Sequence, residues 1–304
     1  MRWSTRIAAL AVAGILVVGS GQAQAAPDKH TVAGRPATGP ATGKVPVTSR
    51  VQPLGAPRGY RLVHTRNLTA ADGVQTFGEV NCPARTVIYG GGVFVESFSL
   101  EANINSSYPS GTSGWIGDVN NASGADTTFR VYAVCAHRPR TGYSIVSSPV
   151  VPNFANRQDG ETVICPVHSK VLGGGVVSLS GSTSVNMNST FPNSRRAWHV
   201  DVNNATGTDT AMQAYAVCGK VNGYARVAGS SVTNPPLDQT SASVSCPGAT
   251  VPLGGGITSD SANTSVNLNT TYPNAGGVAG WGGYENNGSM LKRSVTPFAI
   301  CAGT

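Results

Sequence analysis

Histidine is the side chain best suited to acid–base chemistry near neutral pH, and the chain has five of them. Two, His168 and His199, lie in the same part of the sequence, and each could act as a base for a nearby serine. No G-x-S-x-G, H-E-x-x-H or G-x-x-x-x-G-K-[ST] motif accompanies them. The sequence therefore predicts no catalytic residues, and a hydrolase with a cryptic site stays open as an alternative.

Paired carboxylates are the other arrangement that could do hydrolytic chemistry, since a glycosidase uses two of them across a cleft. Asp118 and Asp201 occupy equivalent places in two internal repeats, and so do Asp126 and Asp209. Asp126 and Asp209 follow glycine-containing turns, so hydrogen bonding within those turns explains them. Spacing along the chain places no pair across a cleft, and we expect the protein not to be an enzyme.

These residues belong to three copies of one sequence unit, which limits where they can lie in a fold. A Gly-Gly-Gly triplet begins at Gly90, Gly173 and Gly254, each time eight residues after a Cys-Pro pair. Further markers follow in the same order in every copy: Trp115, Trp198 and Trp281, then the Asn-Asn pairs that begin at Asn120, Asn203 and Asn286. We assign the copies to residues 60–140, 141–222 and 223–304.

The six cysteines fall two to each repeat. Six cysteines allow fifteen pairings, and the repeat selects one: Cys82–Cys135, Cys165–Cys218 and Cys246–Cys301. Closing a loop of this size stabilises a unit by roughly 4 kcal/mol in the chain-entropy model. No Cys or His recurs close to the paired cysteines in all three repeats, as a repeated zinc site would require, so no metal or other cofactor is expected.

Short runs of alternating apolar and polar residues, broken by Gly, Pro, Ser and Asn, predict β-strands throughout the repeats. The predicted class is all-β, with three tandem antiparallel β units of small sandwich or Greek-key type and one disulfide per unit. The units could pack in a pseudo-threefold arrangement or stand as beads. Trp115 and Trp198 share strand faces with valines, which predicts that they are core residues.

Glycine inside a strand pattern is typical of a β-bulge or of close backbone approach. We therefore expect the three triplets to meet where the units pack. The segment Phe129–Cys135 is apolar on both faces apart from Arg130, and its equivalent in the third repeat contains Pro297, which predicts an edge strand or a bulge there.

Asparagines at alternate positions of one strand in each repeat share a face of that strand. The predicted ligand-binding residues are Asn103, Asn105, Asn186, Asn188, Asn267 and Asn269, with Asp118 and Asp201 near them. Amides and carboxylates supply the fixed donors and acceptors that sugar hydroxyls need. Three weak sites on one chain would add avidity on a repetitive surface. A solvated polar face with turn caps is the alternative interpretation of these residues.

The net charge of +7 lies mainly outside the repeats. Residues 60–304 carry 14 Lys and Arg side chains and 13 Asp and Glu side chains, and no basic run among them is interleaved with aromatic residues. This distribution argues against nucleic-acid binding.

The N-terminal residues have the pattern of a secretory signal peptide: two arginines, an uncharged apolar run over Ile7–Val18, and small residues at Ala23 and Ala25. The run is shorter than the roughly 20 residues of a membrane span. We predict a signal peptide over residues 1–25, a disordered Pro-, Gly- and Thr-rich arm over residues 26–59, and a secreted, extracellular protein with no membrane span.

The order of Cys-Pro, Val-Leu-Gly-Gly-Gly-Val, Trp, Asn-Asn and Ala-Tyr-Ala-Val-Cys resembles a module of secreted proteins of high-GC Gram-positive bacteria, the actinobacteria. The resemblance covers residues 60–304; it implies export and a β fold and carries over no functional residues. The repetition and the asparagine strands favour a secreted non-enzymatic binding or adhesion protein for glycans or cell-envelope polymers. The alternatives are a structural component of an extracellular layer and, second, the hydrolase.

Overall fold

A computed structural model describes residues 55–274 and 279–303 of the chain. The predicted signal peptide and most of the predicted arm lie outside these residues. Every regular element in the described part is a β-strand. It contains no helix of the length and apolarity that crossing a membrane requires.

Each repeat forms seven strands, here numbered in chain order. Repeat 1 contains β1 (Arg61–His64), β2 (Leu68–Ala70), β3 (Val74–Asn81), β4 (Val87–Val95), β5 (Ala102–Ser110), β6 (Gly114–Asn121) and β7 (Thr127–Ala136). Repeat 2 contains β8 (Ser144–Ser147), β9 (Val151–Asn153), β10 (Arg157–Ile164), β11 (Lys170–Ser178), β12 (Val185–Pro192), β13 (Ala197–Asn204) and β14 (Thr210–Gly219). Repeat 3 contains β15 (Ala225–Ala228), β16 (Val232–Asn234), β17 (Asp238–Ser245), β18 (Val251–Ser259), β19 (Val266–Asn274), β20 (Gly280–Asn287) and β21 (Arg293–Ala302).

The strands pair into three antiparallel sheets, and each sheet combines strands of two repeats. Sheet 1 has the order β1-β7-β4-β19-β20-β17, sheet 2 β8-β14-β11-β5-β6-β3 and sheet 3 β15-β21-β18-β12-β13-β10, while β2, β9 and β16 add to β7, β14 and β21. At each seam a fourth strand meets the fifth strand of another repeat: β4 with β19, β11 with β5, and β18 with β12. The exchange returns to repeat 1, so the three repeats close a pseudo-threefold ring.

The predicted all-β class with three antiparallel units is confirmed, and so are the disulfides. They join Cys82 to Cys135, Cys165 to Cys218 and Cys246 to Cys301. The sheets do not coincide with the repeats, however. Each repeat gives four strands to one sheet and three to another, so the core of one repeat lies between two sheets.

The glycine triplets lie where the repeats meet, as their recurrence predicts. A bulge precedes each triplet, at Tyr89, Leu172 and Leu253. A Cβ atom added to Gly90 would lie 2.9 Å from the Cα atom of Gly254, and one added to Gly173 would lie 2.8 Å from that of Gly90. One added to Gly254 would lie 2.8 Å from the Cα atom of Gly173, below the 3.0 Å that Cβ atoms respect. The first glycines thus close a ring of backbone contacts with no room for side chains.

The second glycine of each triplet faces the tryptophan of its own repeat. A Cβ atom on Gly174 would lie 2.5 Å from Cγ of Trp198. The three tryptophans, Trp115, Trp198 and Trp281, are fully buried, as predicted for the first two. Their indole Nε1 atoms donate to the hydroxyls of Ser107, Thr190 and Thr271 at 2.8–2.9 Å. Each repeat is therefore built around one tryptophan seated on a glycine.

Pro297 lies in an inner strand, β21, at a place where the register is continuous, so neither the edge strand nor the bulge predicted for it is found. It pairs in register with Ile257 of β18 and faces the break between β15 and β16 on the other side. In repeat 1 the amide at this place, that of Val131, donates to the hydroxyl of Thr65 at 3.1 Å. Repeat 3 has Gly229 instead of that threonine, and Gly229 N donates to Pro297 O at 2.8 Å. Repeat 3 thus lacks both the threonine hydroxyl that accepts this hydrogen bond and, because proline has no N–H, the amide that donates it. Neither group is left without a partner.

Candidate functional site

The asparagines predicted to bind ligand are buried. Asn105, Asn188 and Asn269 lie at a second set of bulges in the fifth strands and expose at most 1% of their surface. Asn103, Asn186 and Asn267 expose 3–6%. Asp118 is buried as well, whereas Asp201 is partly exposed.

The bulged asparagines join one repeat to the next. Asn105 Nδ2 donates to Val185 O at 2.7 Å, Asn188 Nδ2 to Val266 O at 2.7 Å, and Asn269 Nδ2 to Ala102 O at 2.8 Å. Each bond crosses to the start of the fifth strand in the neighbouring repeat. These amides satisfy backbone carbonyls that would otherwise be buried without a partner.

The remaining three asparagines pair with the first residue of an Asn-Asn marker. Asn120 donates to Asn186 at 2.8 Å, Asn203 to Asn267 at 2.9 Å, and Asn286 to Asn103 at 2.9 Å. The partners Asn120, Asn203 and Asn286 were not predicted as site residues, although the recurring Asn-Asn pair was the signal for them. The asparagine face of every repeat is thus a contact between repeats, which leaves a ligand to be sought elsewhere.

In sheet 3, three side chains are hydrogen-bonded in series on the edge strand β10 and the adjacent strand β13. Thr162 Oγ1 lies 2.7 Å from His199 Nδ1, and His199 Nε2 lies 3.0 Å from Asp201 Oδ1. The corresponding positions of His199 in the other sheets are Ile116 and Gly282. The hydrogen-bonded series of Thr162, His199 and Asp201 is therefore found in one sheet of the three. Its order of hydroxyl, base and carboxylate is the one that activated nucleophiles use.

The hydrogen bond that His199 Nε2 donates to the Asp201 carboxylate raises the pKa of His199 above its ordinary value, against the opposing effect of partial burial. The folded protein therefore favours protonated His199, and the stability that this adds is full at acid pH and lost as pH rises through the raised pKa. We expect Asp201→Asn to lower the pKa of His199, measured by NMR titration of its ring carbon. Thr162→Val is the matched control, since it removes the other ring contact. An unchanged pKa in Asp201→Asn would contradict this assignment.

An aromatic pair bridges each seam on the outer side of its sheet. In β5, Tyr108 is next to Ser107, whose hydroxyl binds the buried Trp115, and successive side chains of a strand face opposite ways. The ring centroids are 5.4 Å apart in the pair Tyr132–Tyr272, 5.7 Å in Tyr108–Tyr215 and 5.3 Å in Phe191–Phe298. One member of every pair comes from a fifth strand and the other from the seventh strand of a different repeat.

The fifth-strand ring of each pair is partly exposed. Polar groups flank the pairs: the Arg226 guanidinium lies 4.7 Å from the centroid of Phe298, and the hydroxyl of Tyr215 donates to Gln213 at 2.8 Å. A partly exposed ring with polar neighbours can stack on an apolar ligand face while hydrogen bonds form at its rim. Sequence reasoning missed these pairs, although each aromatic residue stands in a recurring marker.

A buried carboxyl lies in repeat 3, where repeats 1 and 2 have valine. Glu285 is fully buried and replaces Val119 and Val202 at the same register of the sixth strand. Its Oε1 accepts a hydrogen bond from Asn234 Nδ2 at 2.8 Å. Burial raises the pKa of Glu285 to about 7, although hydrogen bonds from Ser259 and Asn234 lower it.

Within residues 55–274 and 279–303, no group of three or more His, Cys, Asp or Glu side chains could hold a metal ion. No protein-family model matches the chain, and no curated protein matches it significantly.

Proposed function

We propose that the protein is a secreted, non-enzymatic binding or adhesion protein that recognises glycans or cell-envelope polymers through the three aromatic pairs. The observation that carries the proposal is their threefold recurrence at equivalent seams, one on each sheet. Three weak sites facing different directions would bind a polymer network with avidity that no single site has. The three disulfides are compatible with an extracellular location.

The test is retention on insoluble polysaccharides and cell-wall preparations. We expect wild-type protein to be retained, and Tyr108→Ala, Phe191→Ala or Tyr272→Ala each to weaken apparent affinity about tenfold because one of three linked sites is lost. The triple variant should not be retained. Phe154→Ala, at an exposed aromatic residue outside the pairs, is the matched control. Failure of the wild type to bind any preparation, or retention of the folded triple variant, would overturn the proposal.

A hydrolase is the second proposed function, and the hydrogen-bonded side chains of Thr162, His199 and Asp201 support it. The hydroxyl and the imidazole are in hydrogen-bond contact, which is the first requirement for general-base activation. Turnover of an ester or glycoside panel that is abolished by His199→Ala, but kept by His168→Ala, would establish it. If the wild type turns over no substrate of the panel, the role of these three hydrogen-bonded side chains is structural.

A further inference from the structure

Three loops of two repeats meet at one end of each sheet. At the end of sheet 1, Gln239 Nε2 donates to Ser97 O at 3.1 Å, and Asn286 Nδ2 donates to Ser99 O at 3.2 Å. Asn287 Nδ2 reaches Pro235 O at 2.8 Å and Leu291 O at 2.9 Å. We call this group of loops, residues 96–101, 235–237 and 288–292, the sheet 1 corner.

The sheet 1 corner carries four large apolar side chains in solvent. Phe98 exposes 90% of its surface, Met290 75%, Leu291 60% and Leu237 59%. The same four positions at the end of sheet 2 are Gly181, Gly124, Ala125 and Gly73, and at the end of sheet 3 they are Ala262, Gly207, Thr208 and Asn156. The fold therefore accepts small or polar residues at all four positions. Of the three corners, the sheet 1 corner alone has large apolar side chains at these positions.

Leu237 is also strained. Its φ is 55°, in the left-handed region, where the equivalent residues are Asn156 at 57° and Gly73 at 73°. A leucine there costs roughly 1–2 kcal/mol relative to ordinary backbone. Strain held at an exposed position indicates that the residue serves something other than stability.

The size and charge of the corner select its partner. Four such side chains expose on the order of 500 Å² of apolar surface, as large as the biggest patches on monomers. A stable protein–protein interface needs about 800 Å² from each partner, so the corner is too small for one. The exposed charges on or beside these loops include Glu101, Asp238 and Lys292, which gives no basic cluster to attract anionic lipid.

We propose that the sheet 1 corner inserts into the interfacial region of an electrically neutral lipid layer. Side chains at loop tips can enter the boundary between headgroups and acyl chains while the sheets stay in water, as apolar faces of interfacial helices do. The proposal is separate from the aromatic pairs, which lie on the outer sides of the sheets. A lipid contact at one end leaves those sides free for polymer.

The first test places a probe at the corner. The described tryptophans are all buried. The variant Phe98→Trp therefore places an exposed tryptophan at the sheet 1 corner, where it can enter lipid. The matched control is Ala262→Trp, at the equivalent position at the end of sheet 3. With phosphatidylcholine vesicles that carry brominated acyl chains, we expect quenching of the new Phe98→Trp fluorescence and none for Ala262→Trp. Equal quenching of both, or of neither, would overturn the proposal.

The second test gives sheet 1 the residues of the other corners. The variant Phe98→Gly, Leu237→Asn, Met290→Gly, Leu291→Thr should float with phosphatidylcholine vesicles at least tenfold less than wild type. Its melting temperature should be equal or higher, because Asn at position 237 relieves the strain. Equal flotation would overturn the proposal. So would wild-type binding that requires anionic lipid, or a wild-type dimer in sedimentation that the variant lacks, which would identify a second copy as the partner.

Discussion

Replacing Glu285 by glutamine is expected to raise the free energy of unfolding by up to about 3 kcal/mol above pH 7 and to change it little at pH 4. Burial lifts the pKa of this carboxyl from 4.5 to about 7. The folded state therefore keeps a proton that the unfolded chain loses between those values. Stability is highest below pH 4.5, falls as pH rises to 7, and is constant beyond, as far as this group is concerned.

Glutamine removes the titration but keeps an oxygen for Asn234, so the variant isolates the charge. The measurement is denaturant unfolding with the disulfides intact at pH 4, 6 and 8. Glu101→Gln, at an exposed glutamate, is the control and should keep the wild-type profile. Since His199 changes stability in the same direction with pH, the difference between wild type and Glu285→Gln is the decisive quantity. A wild-type pH slope that persists in Glu285→Gln would contradict the assignment.

Gly174→Ala is expected to destabilise the fold by at least about 4 kcal/mol, which is in the exceptional range for one substitution. The new methyl group would overlap Cγ of Trp198, which is buried and held through its Nε1 by Thr190 at 2.9 Å. The methyl group would also meet the backbone oxygen of Tyr215 in the paired strand β14, and a backbone atom cannot rotate away as the end of a flexible side chain can. Valine at the same place should abolish the folded protein.

Gly207→Ala is the matched control, because a Cβ atom there has nothing within 4 Å. Its melting temperature should lie within about two degrees of wild type, as for other surface substitutions. Yield of folded protein and melting temperature are the measurements for both variants. A Gly174→Ala protein as stable as Gly207→Ala would show that the glycine is not required for seating the tryptophan.

Features within a repeat follow from the sequence, and so does the meeting of the glycine triplets, but the choice of strand partners between repeats does not. The repeat markers and the alternation of residues predict the disulfides, the strands, the burial of Trp115 and Trp198, and a bulge or a close backbone approach at the triplets. The sequence does not indicate that β4 pairs with β19, because the pattern of a repeat is the same whichever strand its fifth strand pairs with. The seam is decided by three-dimensional closure of the ring.

The same reason explains the outcome at the candidate site. Alternation of polar and apolar residues in β5, β12 and β19 predicts an outward face for the asparagines, and it would be solvated if each repeat stood alone. The loop of the neighbouring repeat covers that face, so Asn105 and its equivalents bind backbone instead. Tyr108 and Tyr215 are 107 positions apart in the chain, and only the seam brings them together.

Ring closure also orders events during biosynthesis. Val95 N of β4 donates to Thr270 Oγ1, 175 residues later in the chain, so β4 has no strand at its seam until the last repeat has been made. An unfinished chain of two repeats would leave β4 and β12 as open strand edges that invite pairing with other molecules. Such fragments would be expected to link into intermolecular rings or chains, and only the third repeat limits the assembly to one polypeptide.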